Sequence, residues 1–252
     1  MAGISATYIS HMGNDKHIIN AARVSFAQDD FEELKPRTDA QVLGLINFLA
    51  RGMQSEDWFN TINDVMDGTM DVTKAKSLIH RLRHTPTHWV PFAHTAITIK
   101  CSAPVPIRTQ CFKHKQGLVE SEESRRYIST KPEFFMPTDF RAAPIGSIKQ
   151  GSALAHVESD SWLDSYESHC VSAISMYQNM VDDGVCPEQA RFVLPQGTIV
   201  NWVWTGNLYA YANFYLARSD SHAQKEVQLM AQEIDAILRP LFPKAWPALV
   251  DQ

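Results

Sequence analysis

The chain has 252 residues, 44% of them hydrophobic and 20% charged, with a formal net charge of -5. That composition belongs to a globular protein with a sizeable core. The acidic balance argues against general nucleic-acid binding, and no apolar run is long enough for a membrane helix.

In chain order, residues 17–26 have the mixed composition of a short helix. Asp39 opens an amphipathic helix in which Val42, Leu43, Ile46 and Leu49 fall at helical spacing, and Gly52 marks its stop. Residues 54–77 are polar and read as a loop or insertion with one short helix. Between 94 and 102 the chain alternates, with Ile97, Ile99 and Cys101 on one face and Thr98, Lys100 and Ser102 on the other. This is the pattern of a half-buried strand. Pro104 and Pro106 then break the strand and open a helix through Arg108–Lys115. Prolines and glycines make 129–153 a loop. Residues 156–183 read as a helix ending at Gly184, and Glu188–Leu194 as a short helix stopped by Pro195 and Gly197. Asn207–Leu216 is an aromatic-rich helix. Ser219 or Asp220 caps a last long helix whose buried stripe is Val227, Met230, Ile234 and Ile237. Helix outweighs strand and the strands fall near the middle, which fits an α+β domain better than a repeating βαβ chain.

The start of the chain, Met1–Ser5, lacks the charged-then-apolar layout of a secretory leader, so the expected location is cytoplasmic. The four cysteines, Cys101, Cys111, Cys170 and Cys186, form no CxxC pair and read as free thiols. His80, His84 and His88 recur at a spacing of four, which on one helix would align three imidazoles. Pro86 interrupts that helix and no carboxylate or cysteine stands at a suitable distance, so no metal site is expected.

The chemistry concentrates in Gln110–Lys115 and Ser121–Tyr127. Lys113, Lys115, Arg125 and Arg126 could form a solvated face balanced by Glu120, Glu122 and Glu123. They could equally hold a phosphate-bearing ligand through charge-assisted hydrogen bonds. His114, between two lysines, is disfavoured as an imidazolium and suits a neutral hydrogen-bonding role. A second segment runs from Leu216 to Gln224, where Arg218 precedes the turn-forming Ser219-Asp220-Ser221-His222. That order sets free backbone N–H groups beside a guanidinium, as an anion site would, and it is equally the pattern of an ordinary capped helix with a surface arginine.

These segments resemble the signature of the flavin-dependent thymidylate synthases, RHRxxSxNExSxRY, together with their RxDSHAQ-like string. His88–His94 is similar to the family's HxTPFEH, with Val90 at the threonine position and Ala93 at the glutamate position. Ala21–Phe26, the ARxxLP-like Ala190–Pro195, and the asparagines Asn207 and Asn213 also follow in family order. The signature departs from the pattern in places. Lys113 and Lys115 replace two arginines, keeping charge but losing the bidentate fork. One extra residue separates Lys115 from Arg126, Ser121 stands at the asparagine position, and Val119 falls at the first serine.

The resemblance implies one helix-rich α+β domain over 1–252 with a central, mostly antiparallel sheet, assembled as a homotetramer with shared active sites. It implies reductive methylation of dUMP to dTMP with FAD, with methylenetetrahydrofolate and NADPH as co-substrates and no protein nucleophile. Gln110, Glu122, Ser124, Arg126, Arg191 and Arg218 would hold dUMP, with Arg218 as the catalytic cation. Lys113, His114, Lys115, Asn207 and Asn213 would hold FAD, together with Ser25, His88 and Val90. The alternatives are a related flavin enzyme that gives a pyrimidine nucleotide a different one-carbon product, and a non-catalytic nucleotide-binding homologue.

Overall fold

The computed structural model describes residues 3–26, 37–51, 55–77, 87–144 and 152–251. His80 and His84, and so the three-histidine alignment, lie outside the described residues. The chain packs as two compact units, one of Met1–Ile9, Thr98–Thr205 and Phe214–Asp235, the other of Ser10–Ile97, Gly206–Asn213 and Ala236–Gln252.

Most of the first unit's framework is an antiparallel sheet of β1 (Ser5–Met12), β2 (Ala96–Pro104), β3 (Leu118–Glu122) and β4 (Ile199–Gly206), in the order β1-β2-β4-β3. The alternation read from the sequence holds in β2, where Ile97, Ile99, Cys101 and Ala103 are all fully buried. On β4, Trp202 and Trp204 lie two residues apart and so share a face, and both are buried. The Thr98 and Thr205 hydroxyls pair across β2 and β4 at 3.0 Å. β1, β3 and β4 carry no clear alternation of their own, and the sequence reading did not separate them from their surroundings. β1 is almost wholly exposed and β3 reads LVESE, so neither offers an apolar face to detect.

Helices α1 (Asp15–Arg23), α2 (Asp39–Arg51), α3 (Ser55–Met66) and α4 (Trp89–Ala93) belong to the second unit. Asn14 caps α1, its side chain accepting from the backbone N–H groups of Lys16 and His17 at 2.9 and 3.2 Å. In α2, Val42, Ile46 and Leu49 are buried as the spacing requires, whereas Leu43 is 39% exposed and lies off that stripe. The polar stretch 54–77 is more helical than expected: α3 alone fills 12 residues, and 72–77 is also helical. Polarity there marks helix rather than loop, and the side chains over 60–77 are mostly exposed.

Helix α5 (Val105–Cys111) follows β2 with Pro106 in its first turn, where a missing N–H costs no hydrogen bond. It stops at Cys111 rather than running to Lys115, because the Phe112, Lys113 and His114 N–H groups turn back onto Arg108, Gln110 and Cys111. Helix α6 (Ser159–Asp182) ends before Gly184, whose φ of +90° suits glycine. The expected Glu188–Leu194 helix divides into α7 (Pro187–Ala190) and a 3-10 turn, Arg191–Val193. Helix α8 (Leu208–Arg218) is followed by α9 (Lys225–Leu241) and α10 (Ala245–Val250). Val227, Met230 and Ile234 are buried on α9 as read, but Leu238, not the half-buried Ile237, completes the stripe. Gly197 is fixed by a close approach: a Cβ built there would lie 1.7 Å from the Tyr166 hydroxyl oxygen, which donates to the Phe135 carbonyl at 2.9 Å. Among the described residues no helix is long and apolar enough to cross a membrane.

Candidate active site

An aromatic ladder in the first unit supports the most polar cavity of interest. Phe112 packs edge-on to Trp202 at 5.6 Å, Trp202 to Trp204 at 6.5 Å, Trp204 to Phe214 at 5.0 Å, and Phe214 to His114 at 5.1 Å. His114 therefore sits against a rigid wall. Arg218, the last residue of α8, donates from Nε to His114 Nε2 at 3.0 Å and from Nη2 to the Gln110 carbonyl at 3.4 Å. A guanidinium only donates, so Nε2 must be the imidazole acceptor and the ring proton sits on Nδ1. Burial, and then the Arg218 charge, hold the His114 pKa below the ordinary histidine value. The neutral imidazole expected from the sequence is present, but burial and Arg218 produce it rather than the flanking lysines. Lys113 is exposed, and Lys115 pairs with Glu120.

Gln110 and Arg218 line a cavity of about 480 Å³ with Asp220, His222 and Gln224. The turn that carries Asp220 is tied internally: Asp220 Oδ1 accepts from the His222 backbone N–H at 2.7 Å and faces His222 Nδ1 at 2.9 Å. Neither Ser219 nor Asp220 caps α9. That helix begins at Lys225, and the Gln224 carbonyl accepts the Val227 and Gln228 N–H groups. The capping residues are spent on the tight turn that places Gln224 beside Gln110.

A second cavity, of about 430 Å³, is lined by Arg108, Glu122, Ser124, Arg125 and Arg191, with Pro195 and Thr198 among its other walls. Arg108 Nη2 lies 3.3 Å from Glu122 Oε1. Burial raises the Glu122 pKa, while Arg108 and Arg191 oppose that rise. Arg126 is not among the lining residues; it pairs through Nε with Glu188 at 3.1 Å, and both side chains are half exposed.

The second unit holds a different site. Ser25, His88 and Val90 line an apolar cavity of about 700 Å³ with Arg23, Phe26, Phe48 and Trp89. His88 stacks on Phe48 with 5.7 Å between ring centres and 20° between planes, and its backbone N–H binds the Leu49 carbonyl at 2.8 Å. Asn207 accepts the Ala210 N–H at 2.8 Å and so caps α8, while Asn213 is exposed on that helix. Of the residues expected at a flavin, Ser25, His88 and Val90 line this cavity together; Asn207 and Asn213 belong to the same unit, and Lys113, His114 and Lys115 to the first.

Residues 7–244 match the family described as thymidylate synthase complementing protein. The chain belongs to this family of flavin-dependent thymidylate synthases. It is 33% identical over 179 residues to the flavin-dependent thymidylate synthase of Thermosipho africanus, covering 70% of this chain and 77% of that one. Across almost its whole length it is 28% identical to the enzyme of that name from Thermotoga neapolitana, covering 95% of this chain and 87% of that one. Among solved structures, the UMP/dUMP methylase PolB from Streptomyces cacaoi, bound with 5-Br dUMP, superposes with a TM-score of 0.74 at 23% identity. That superposition covers 98% of this chain and 95% of PolB.

For this flavin-dependent thymidylate synthase family member, reading the sequence missed Arg108, which lines the second cavity, and Arg141 and Glu226, which bond to each other and to Gln224 behind the first. Arg125 adjoins Arg126 and was legible as a cation. Arg108 stands two residues before Gln110, where a signature beginning at Gln110 passes over it. Burial pushes the Cys111 thiol up to about 12, against a smaller opposing pull from Arg218, which disfavours the thiolate a nucleophile needs. Cys101 and Cys170 are also buried, and Cys186 is exposed. Among the described residues no group of three His, Cys, Asp or Glu could hold a metal ion.

Proposed function

We propose that this protein methylates dUMP to dTMP, with Arg218 as the residue that activates the pyrimidine. The observation that carries the reading is the clamping of Arg218 between the neutral His114 imidazole and the Gln110 carbonyl. Both bonds use one edge of the guanidinium, so its charge points in a fixed direction with no reorganisation needed at the moment of reaction. Loss of the N3 proton puts negative charge on N3 and the carbonyl oxygens of a uracil ring in the adjoining cavity and makes C5 nucleophilic, and a fixed cation stabilises that ionised form. His114 serves by staying neutral, since a second cation there would repel Arg218.

The Glu122 cavity suits the sugar-phosphate part. Arg125 and Arg191 offer charge to a phosphate, the Ser124 hydroxyl donates, and Glu122 accepts from a ribose hydroxyl. Gln110 and Arg108 are two residues apart on α5, so they face different sides of that helix. In a homotetramer with shared sites, one nucleotide would draw its base contacts and its phosphate contacts from different subunits. The exposed Lys113 and Asn213 fit the same arrangement, each available to a neighbouring subunit's ligand, and Arg126 would join them by leaving Glu188.

The apolar cavity fits a flavin ring system. Phe26 is 74% exposed, Trp89 51% and Phe48 42%, which leaves flat apolar faces around a cavity with few polar groups. His88, Phe48 and Trp89 would hold the rings by stacking, with Ser25 and the Val90 backbone beside them and Lys113 and Lys115 of another subunit at the diphosphate. When bound and reduced by NADPH, FAD supplies the hydride that completes a methyl group whose carbon comes from methylenetetrahydrofolate.

The test is incubation of the purified protein with dUMP, methylenetetrahydrofolate, FAD and NADPH, with mass spectrometry of the nucleotide. A yellow protein bleached by NADPH, together with a product carrying one added methyl, supports the reading. Nucleotide binding without NADPH oxidation would reduce the protein to a binding homologue. A different mass increment would assign it another one-carbon product.

A further inference from the structure

A chain of hydrogen bonds that starts outside the two cavities ends on Gln110. Arg141 Nη2 donates to both carboxylate oxygens of Glu226 at 2.8 Å, and the two side chains are 16% and 11% exposed. Arg141 is itself fixed by Ser152, which accepts from Nε at 2.6 Å, and by Asp139 at 3.5 Å. Glu226 Oε2 accepts from Gln224 Nε2 at 2.9 Å. Gln224 Oε1 then accepts from Gln110 Nε2 at 2.7 Å.

The polarity of this chain is forced. An ionised carboxylate only accepts, so the end of Gln224 that faces Glu226 must be its NH₂ group. Its carbonyl oxygen then faces Gln110, so the end of Gln110 that meets it must also be NH₂. Gln110 is left with Oε1 as its acceptor for the cavity it lines with Arg218. Burial alone would raise the Glu226 pKa, but its bonds to Arg141 and Gln224 outweigh burial and hold it below the usual value, so the acceptor persists at neutral pH.

We infer that Arg141 and Glu226 are positioning residues which, through Gln224, fix the direction of the Gln110 side-chain amide at the nucleotide cavity. Gln110 therefore presents an acceptor to a donor on the ligand, such as an imide N–H or a ribose hydroxyl, rather than two N–H groups to a phosphate. This rests on the dUMP reading above and specifies one contact within it.

Glu226→Gln tests the relay. An amide at 226 can turn its NH₂ toward Gln224, reverse that residue, and so reverse Gln110. The dUMP KM is then expected to rise about three- to tenfold, the effect of one misdirected hydrogen bond, with kcat within about twofold. In a Gln110→Leu background the same change should add nothing, because its route of action is gone. Full additivity, or an unchanged KM in the single variant, overturns the inference. If Glu226→Gln does not fold, Arg141→Lys, which keeps the charge but loses the two-point grip, enters the same cycle with the same criteria.

A ligand-free readout separates this inference from the functional one. The Gln110 side-chain NH₂ should give slowly exchanging NMR signals that move in Glu226→Gln. Signals indifferent to residue 226 refute the relay even if the enzyme works. Shifted signals in a protein that does not turn over dUMP leave the relay standing and refute only the assigned reaction.

Discussion

The Arg218 cavity and the aromatic cavity of the second unit solve opposite problems. Around Arg218 almost every polar atom is committed: the guanidinium to His114 and Gln110, the Gln110 amide to Gln224, and Gln224 to Glu226. Around His88 the walls are apolar and the rings of Phe26, Phe48 and Trp89 are exposed. The first environment aims charge and depends on each bond being made. The second offers area and tolerates small changes, because stacking lacks the directional demand of a hydrogen bond.

The largest expected effect is on stability. Arg141→Ala strands the Glu226 carboxylate in a part-buried site and should destabilise the protein by about 3–5 kcal/mol in chemical denaturation. Val90→Ala, at a half-exposed position of the aromatic cavity, should stay within about 0.5 kcal/mol. Equal losses would erase the contrast. Next, Arg218→Ala should lower kcat for dTMP formation by about 100- to 1000-fold, the scale of losing one preorganised charge donor, while the flavin spectrum is retained. Loss of flavin together with turnover would mean that the two regions do not divide the labour as described.

Smaller still is Phe48→Ala, which removes the ring stacked on His88. A fall in flavin affinity of about two- to tenfold with unchanged dUMP binding would place the cofactor there, and calorimetry with each ligand separates the two. The mildest test is titration. His114 should protonate at a lower pH than an ordinary histidine when followed by NMR. Because its folded-state pKa is depressed, the unfolded chain takes up the proton first as pH falls. Its effect on stability is therefore absent above the ordinary histidine pKa and becomes a loss as pH drops below it. Arg218→Ala should move that titration upward.

Much of the architecture was legible where a period was strong, as in the Ile97–Cys101 alternation and the Val227, Met230 and Ile234 stripe. It was illegible where burial was one-sided or missing. LVESE forms a strand through its backbone ladder, not through an apolar face, and the polar 55–66 segment is a helix whose described side chains, 60–66, are mostly exposed. The site divided in the same way. Arg218, His114 and Gln110 stand in recognisable strings and do meet. Arg141 and Glu226 are 85 residues apart, one in a stretch that reads only as loop, and no local pattern pairs them. Arg126 shows the converse, a residue prominent in its string whose observed partner is Glu188.

Gly197 has a consequence for any mutational survey of this chain. Most positions in a packed region lose function in proportion to the volume added. Here the first carbon beyond the backbone already occupies the space of the Tyr166 oxygen, so alanine and tryptophan meet the same obstacle. Every substitution must swing that ring aside and strip the Phe135 carbonyl of its partner. A saturation library at this codon should therefore show its first loss already at alanine, the smallest step away from glycine.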